Sequence, residues 1–236
     1  MNQDVSGIYI NGAELVVFLD AAESTVKEDI LASTLYAQLA ADKQIDRFTD
    51  CSSWHATLLK ALATFGWLRL ELKGSEGDCP ESDTFTPVDL FSALLPEALA
   101  SWRGKKLENL LNLLFCSPLS DRALALRERS LLITDTLPTD SAGSATTVST
   151  ALMQISFVLP TGEKVSLCVA FKTNETLAEN PFTQSFAKLE RVGEITCFRL
   201  IGKLDDLRYA LFRHKINGAL SERRDELSFA VQGDVS

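Results

Sequence analysis

Cys51 and the two histidines of the chain, His55 and His214, are the residues whose types and spacing best suit catalysis. Cys51 and His55 lie four residues apart in a segment with helical periodicity, so both side chains could face one side of a helix. A cysteine acts as a nucleophile when a nearby base favours its thiolate. No family signature surrounds the pair, and no third group that would orient His55 is identifiable. We therefore expect helix packing here, with a catalytic pair as the alternative.

His214 lies between Arg213 and Lys215 in a segment that also has helical periodicity. An imidazole beside two cations is more easily neutral near pH 7, which would suit a general base or an anion contact. Without a motif around it, the solvated face of a helix is the simpler interpretation.

Short motifs for cofactors and metals are missing from the sequence. It contains no GxxxxGK[ST] or GxGxxG loop for phosphates, no GxSxG nucleophile elbow, and no HExxH or EF-hand pattern for metals. We expect no cofactor and no metal, and we leave open whether the protein is an enzyme, because many active sites carry no short motif.

Residues 105–115 have the strongest amphipathic pattern of the chain. Leu110 and Leu114 belong to a continuous apolar face that is opposite to Glu108 and Asn109. Such a helix can pack in a core, dock in the groove of a partner, or lie on a membrane. We expect the core, and keep Leu110 and Leu114 as candidate partner-binding residues.

A second amphipathic helix is predicted from Leu204 to about Leu220. By helical-wheel position, Arg208 and Lys215 project inside its apolar arc, which contains Leu204, Leu207, Leu211, Phe212, Ile216 and Ala219. Basic groups in that position can extend to solvent along their stems, pair with carboxylates, or anchor an acidic partner. Arg208 and Lys215 are therefore candidate partner-binding residues.

Composition limits the classes of function. The 236 residues carry a net charge of −9, which makes general nucleic-acid binding improbable because an acidic surface repels phosphates. Five widely spaced cysteines without a CxxC pair indicate free thiols and a reducing compartment. No apolar run approaches the roughly 20 residues that span a bilayer, and residues 1–4 do not resemble a secretory signal. We expect a cytoplasmic protein for which membrane binding is improbable.

The first half of the chain predicts a hairpin followed by helices. Apolar runs on both sides of Asn11-Gly12 predict a β-hairpin over residues 5–19 with a type I′ turn. Thr25 and Glu28 have capping-box spacing for the next helix. A second helix is expected to follow from about Ser52, and the alternating residues 67–73 then predict a strand. Thr86-Pro87 begins a helical pattern that continues, with interruptions, to about Leu131.

The second half predicts more strand. A second hairpin is expected over residues 150–172, a single strand over 194–201, and a short strand over 228–232. These elements predict an α+β fold with a mainly antiparallel sheet, packed with several helices. We expect one domain over residues 1–236, with a division into two lobes at the loop 136–147 as the alternative.

The order of helices between antiparallel hairpins resembles that of the Cyt-type cytolytic toxins, although no short motif accompanies the resemblance. Three hypotheses of function follow from the sequence. The first is a non-catalytic binding protein with a protein partner or a second copy of itself. The second is a small hydrolase or transferase with a site near His55 or His214. The third is a membrane-active, toxin-like protein that uses an amphipathic helix.

Overall fold

The chain begins with the predicted hairpin. Strands β1 (Val5–Asn11) and β2 (Glu14–Leu19) pair antiparallel, and Asn11 is opposite Glu14. The turn is therefore Gly12-Ala13, and only Gly12 of the two has a positive φ, +66°, as in a type II′ turn. The predicted type I′ turn is wrong because Asn11 is the last paired residue of β1. Its side chain is buried and donates hydrogen bonds from Nδ2 to Leu31 O and Thr34 Oγ1.

The computed structural model describes residues 5–20, 23–77, 82–115, 121–136 and 146–231. The remaining strands are β3 (Trp67–Gly77), β4 (Thr84–Phe85), β5 (Leu131–Thr136), β6 (Thr146–Val158), β7 (Glu163–Thr173), β8 (Phe186–Ala187), β9 (Arg191–Leu204) and β10 (Ser228–Ala230). The helices are α1 (Ser24–Asp42), α2 (Cys51–Thr64), α3 (Pro87–Leu94), α4 (Lys105–Leu114), α5 (Asp121–Ser130), α6 (Asp206–Leu220) and α7 (Arg223–Leu227), with 3-10 helices at Glu97–Trp102 and Lys188–Glu190.

One mixed sheet contains most of the strands. Its order is β10-β1-β2-β6-β7-β9-β3, with β5 paired to β6, and β4 and β8 form a separate two-stranded sheet. The second predicted hairpin is confirmed as β6 and β7, which are joined by residues 159–162. The two hairpins meet through the parallel pairing of β2 with β6. The predicted α+β class and mainly antiparallel sheet are therefore confirmed.

Contacts divide the chain into two units. Unit 1 comprises residues 1–73, 154–166 and 199–236, and unit 2 comprises residues 74–153 and 167–198. Most of the predicted linker, residues 137–145, lies outside the described residues. The organisation of the chain as one domain stays a prediction.

Unit 1 is built around α1, which contacts α2 and α6. Its aromatic rings interlock, since Phe65 contacts Tyr36 at 5.3 Å and Phe212 at 5.9 Å between centroids. Trp67 at the start of β3 donates a hydrogen bond to Ser33 Oγ at 3.0 Å. The predicted capping box of α1 is wrong, because the helix begins at Ser24 and the N-cap residue, Glu23, makes no side-chain cap.

Unit 2 contains the helices α3, α4 and α5. Helix α3 begins as predicted, since Thr86 and Asp89 form a reciprocal capping box and Pro87 follows the cap. Phe85, Phe171 and Phe186 form an aromatic cluster with centroid distances of 4.9–5.6 Å. The helical pattern that was predicted to reach Leu131 ends one residue earlier, and β5 begins there.

Candidate functional site

The cysteine and histidine of the predicted catalytic pair lie on α2. Cys51 is the first residue of the helix and is half-buried, whereas His55 is only 6% exposed. Burial lowers the pKa of His55 to about 4, because a charged imidazole would lose its hydration there. A base with so low a pKa is poorly matched to taking a proton from a thiol near neutral pH. Helix packing therefore stays our expectation for Cys51 and His55, and a catalytic role stays the alternative.

His214 and the two candidate basic residues lie on the outer side of α6. His214, Arg208 and Lys215 are all exposed. The helix buries Tyr209, Ile216 and Leu220, and of these only Ile216 belongs to the arc expected from the sequence. Two leucines of that arc are strongly solvated, since Leu207 is 85% exposed and Leu211 is 75% exposed.

The two candidate leucines of α4 lie in the interior of unit 2. Leu110 and Leu114 are buried together with Leu107 and Leu111, so the predicted apolar face of α4 is its core face. A partner or a membrane can reach these leucines only if α4 leaves the body of the unit.

A buried polar network in unit 1 is the arrangement that most resembles catalytic chemistry. Lys164 Nζ on β7 donates hydrogen bonds to Glu14 Oε1 on β2 at 2.6 Å, to Ser156 Oγ on β6 at 2.8 Å and to Ser166 Oγ at 2.7 Å. Ser156 also donates to Glu14, and Gln38 Nε2 lies 3.4 Å from Glu14 Oε2. A lysine beside a serine hydroxyl can serve as its base in acyl transfer.

Whether this network can catalyse a reaction depends on whether a substrate can reach it. Ser156 is fully buried, and Glu14 and Lys164 are buried too. A nucleophile must reach its substrate, and the hydroxyl of Ser156 lies beyond the reach of any molecule in this conformation. The network instead joins three neighbouring strands, β2, β6 and β7. The sequence analysis did not identify this network. Its only signal in the sequence is a charged residue near the start of each of two mainly apolar strands, Glu14 in β2 and Lys164 in β7.

The first half of β3 carries three exposed leucine side chains of unit 1. This strand is at the end of the sheet order, and of the described strands only β9 pairs with it. Leu68, Leu70 and Leu72 project to one side of β3, because alternate residues of a strand face the same way. They are 43%, 55% and 40% exposed. Arg69, Glu71 and Lys73 project to the other side of the strand.

A groove of about 480 Å³ adjoins this strand. Its wall is mainly apolar, with Ala56, Leu59 and Ala63 of α2 and Leu68 and Leu200 of the sheet among the lining residues. Lys60 and Arg69 contribute charge to it. An apolar groove beside an open strand edge can accept an extended segment of protein, which would add its backbone to the sheet and its side chains to the groove.

The carboxylate of Glu71 is held in place on the same strand. Arg199 Nε on β9 donates to Glu71 Oε1 at 2.8 Å, and Lys73 Nζ lies 3.8 Å from the same oxygen. The hydrogen bond from Arg199 lowers the pKa of Glu71, so this carboxylate is charged at neutral pH. Glu71 is therefore held toward β9, the strand that pairs with β3.

Among the described residues, no three histidines, cysteines or carboxylates are grouped so that they could hold a metal ion. Cys79 and Cys116 lie outside that part of the chain. None of the described helices combines the length and the apolar character that crossing a membrane requires.

Comparison with known proteins gives no family. No protein-family model and no curated protein matches the chain. Among solved structures, a delta-endotoxin is similar with a TM-score of 0.44 and 12% identity, over 82% of this chain and 83% of the other. The Evf virulence factor is similar with a TM-score of 0.28 and 10% identity, over 89% of this chain and 77% of the other.

Proposed function

We propose that the protein is a non-catalytic binding protein whose binding surface is the open edge of β3, residues 67–73, together with the adjoining groove. The observation that carries the proposal is the exposure of Leu68, Leu70 and Leu72 on an edge of β3 with which no described strand pairs. Exposed edge strands usually carry devices that prevent pairing with another chain, such as charged side chains, proline, a bulge or short length. Strand β3 carries charge at Arg69, Glu71 and Lys73, but it is long, with eleven residues, and has no proline.

The candidate catalytic residues give less support to the hypothesis of an enzyme. A site near His55 would use an imidazole that is buried and only weakly basic, and a site near His214 would lie on the exposed face of α6. The serine and lysine that are best placed for acyl transfer, Ser156 and Lys164, are enclosed by the strands. The open edge offers binding without any of these groups.

The experiment compares three immobilised forms of the full chain in an extract of the cells that produce it. The forms are the wild type, Leu70→Lys on the edge, and the matched control Leu207→Lys on the exposed face of α6. We expect the wild type and the control to retain the same specific protein, either a second copy of the chain or a different protein, and Leu70→Lys to lose it. Equal retention by all three forms would show that the edge of β3 is not the binding surface.

A further inference from the structure

We propose that the partner of the β3 edge is a second copy of this chain, paired antiparallel with it about a two-fold axis at Leu70. This inference rests on the proposed function, because it assigns the occupant of the same surface. It is carried by the order of residues in β3, Leu68-Arg69-Leu70-Glu71-Leu72. When two copies of this segment lie antiparallel, leucines of one copy lie opposite leucines of the other, and the residues of opposite charge lie opposite each other.

The charged side of the strand is self-complementary. In an antiparallel pair centred on Leu70, residue 69 of each copy lies opposite residue 71 of the other. The pairing therefore places Arg69 opposite Glu71 twice, and opposite charges at facing positions stabilise a sheet. Arg69 has no ion-pair partner among the described residues of its own chain. Glu71 is already paired with Arg199 of its own chain, so Arg69 of the second copy would add a further cation to this carboxylate.

The apolar side of the strand matches as well. In the same register, Leu70 lies opposite Leu70 of the second copy, and Leu68 lies opposite Leu72 twice. Six half-exposed leucine side chains would then cover one another on one face of the joined sheets. Removal of this apolar surface from water drives the association, while backbone hydrogen bonds along the two edges fix its direction.

Other two-fold registers are poorer. Centring the pair on Arg69 places two arginines face to face, and centring it on Glu71 places two glutamates face to face and Arg69 opposite Lys73. Like charges at facing positions are destabilising. Centring it on Leu72 does pair Glu71 with Lys73, but it moves Leu70 opposite Gly74 and leaves one leucine pair of the three. Leu70 is therefore the centre that satisfies both faces of the strand.

Engineered cysteines test the register directly. At the centre of the pair the two Cα atoms of residue 70 would be about 4.5–5.5 Å apart, within the range that a disulfide spans. The two residues at position 72 would be about 13 Å apart, since they are offset by four residues along the strands. We expect Leu70→Cys to give a covalent dimer under mild oxidation and the matched variant Leu72→Cys to give none above the wild-type background from native cysteines.

Charge exchange tests the same register without covalent chemistry. Arg69→Glu and Glu71→Lys should each yield a monomer by light scattering at micromolar concentration, because each homodimer would oppose like charges twice. An equimolar mixture should form a heterodimer, because both facing pairs are then of opposite sign. Circular dichroism and thermal unfolding of each variant alone verify that it is folded. If Glu71→Lys fails to fold, the comparison of Leu70→Cys with Leu72→Cys still tests the register.

The outcomes separate this inference from the proposed function. For the wild type we expect a dimer that Leu70→Lys weakens about a hundredfold or more, because two lysines would face each other at the axis, and that Leu207→Lys leaves intact. Crosslinking at position 72 instead of 70 would overturn the register. A wild type that stays monomeric at high concentration would overturn self-association. In that case a different protein captured by the wild type and lost by Leu70→Lys would still support the proposed function.

Discussion

The ammonium group of Lys164 on β7 lies 2.6 Å from the carboxylate of Glu14 on β2, and both side chains are at most 5% exposed. Strand β6 lies between these two strands in the sheet order. Its residue Ser156 is hydrogen-bonded to both charges. The ion pair and Ser156 therefore link the first hairpin to the second, whose contacting residues lie more than 140 positions later in the sequence. This geometry makes Lys164 and Glu14 the first residues with which to test what holds unit 1 together.

Lys164→Met should destabilise the protein by about 3 kcal/mol or more. Removal of one member of a buried ion pair leaves the other charge desolvated and without compensation, which typically costs 3–5 kcal/mol. The double variant Lys164→Met with Glu14→Leu should recover much of that loss, because no buried charge remains. Urea unfolding measures both values, with the exposed Lys203→Met as the control. A single variant that is as stable as this control would contradict the role of the pair.

Stability should fall as the pH is lowered from about 6.5 to 4, in part because of His55. Its pKa is about 4 in the folded chain against an ordinary 6.5, so the folded state binds the proton less readily than the unfolded state. Stability that is present above pH 6.5 is therefore lost as the pH falls towards 4. The difference corresponds to about 3 kcal/mol at 1.4 kcal/mol per pH unit.

The measurement for His55 is urea unfolding of the wild type and of His55→Gln at several pH values between 7.5 and 4. Titrating carboxylates affect both proteins alike, so the difference between the two curves isolates His55. We expect the wild type to lose more stability than His55→Gln across this window. Parallel curves would mean that His55 is accessible to protons in the folded chain.

Local signals in the sequence predicted much of the fold. Gly12 supplies the positive φ of the first hairpin turn, and Thr86-Pro87 supplies the cap and first residue of α3. Both signals act within a few residues, so one sequence is enough to find them. The parallel pairing of Glu14 with Gln154 on β6 has no such signal, because it joins residues 140 positions apart.

The candidate site was harder to predict, because it depends on which side of each helix and strand faces the solvent. A helical wheel groups Leu207 and Leu211 with the apolar residues of α6, but it cannot show which side faces the protein. The structure turns Tyr209 and Ile216 inward and leaves the two leucines in solvent. The alternation in residues 67–73 predicted a half-buried strand, yet nothing local shows that β3 is the last strand of the sheet. An edge position depends on every other strand of the sheet.

Thr86→Ala should destabilise the protein by about 1 kcal/mol. Thr86 Oγ1 accepts a hydrogen bond from Asp89 N at 3.1 Å, and Asp89 Oδ2 accepts one from Thr86 N at 3.2 Å. Loss of an N-cap side chain typically costs 0.5–2 kcal/mol. Thr86→Ser keeps the hydroxyl and should remain near the wild type in thermal unfolding. An equal loss in both variants would assign the effect to packing of the threonine methyl group.

Gly12→Ala and Gly218→Ala should change stability in opposite directions. Gly12 has a φ of +66°, and an added Cβ would lie 2.5 Å from Gln38 Oε1. That amide is fixed at both ends, because Oε1 accepts from Ala13 N and Nε2 donates to Asn11 O, each at 3.1 Å. Gly12→Ala therefore combines an unfavourable backbone conformation with a clash against a held side chain, and we expect a loss of about 2 kcal/mol or more.

Gly218 is the matched control on α6, where an added Cβ would meet nothing within 4 Å. Alanine in an exposed helical position restricts the unfolded chain and should stabilise the protein by about 0.5–1 kcal/mol. Urea unfolding of the two variants gives both signs in one series. If Gly12→Ala matched the wild type, the turn would tolerate a Cβ, and the contact between Gln38 and the hairpin would be looser than its two hydrogen bonds indicate. A destabilised Gly218→Ala would instead place a steric contact on the solvated side of α6.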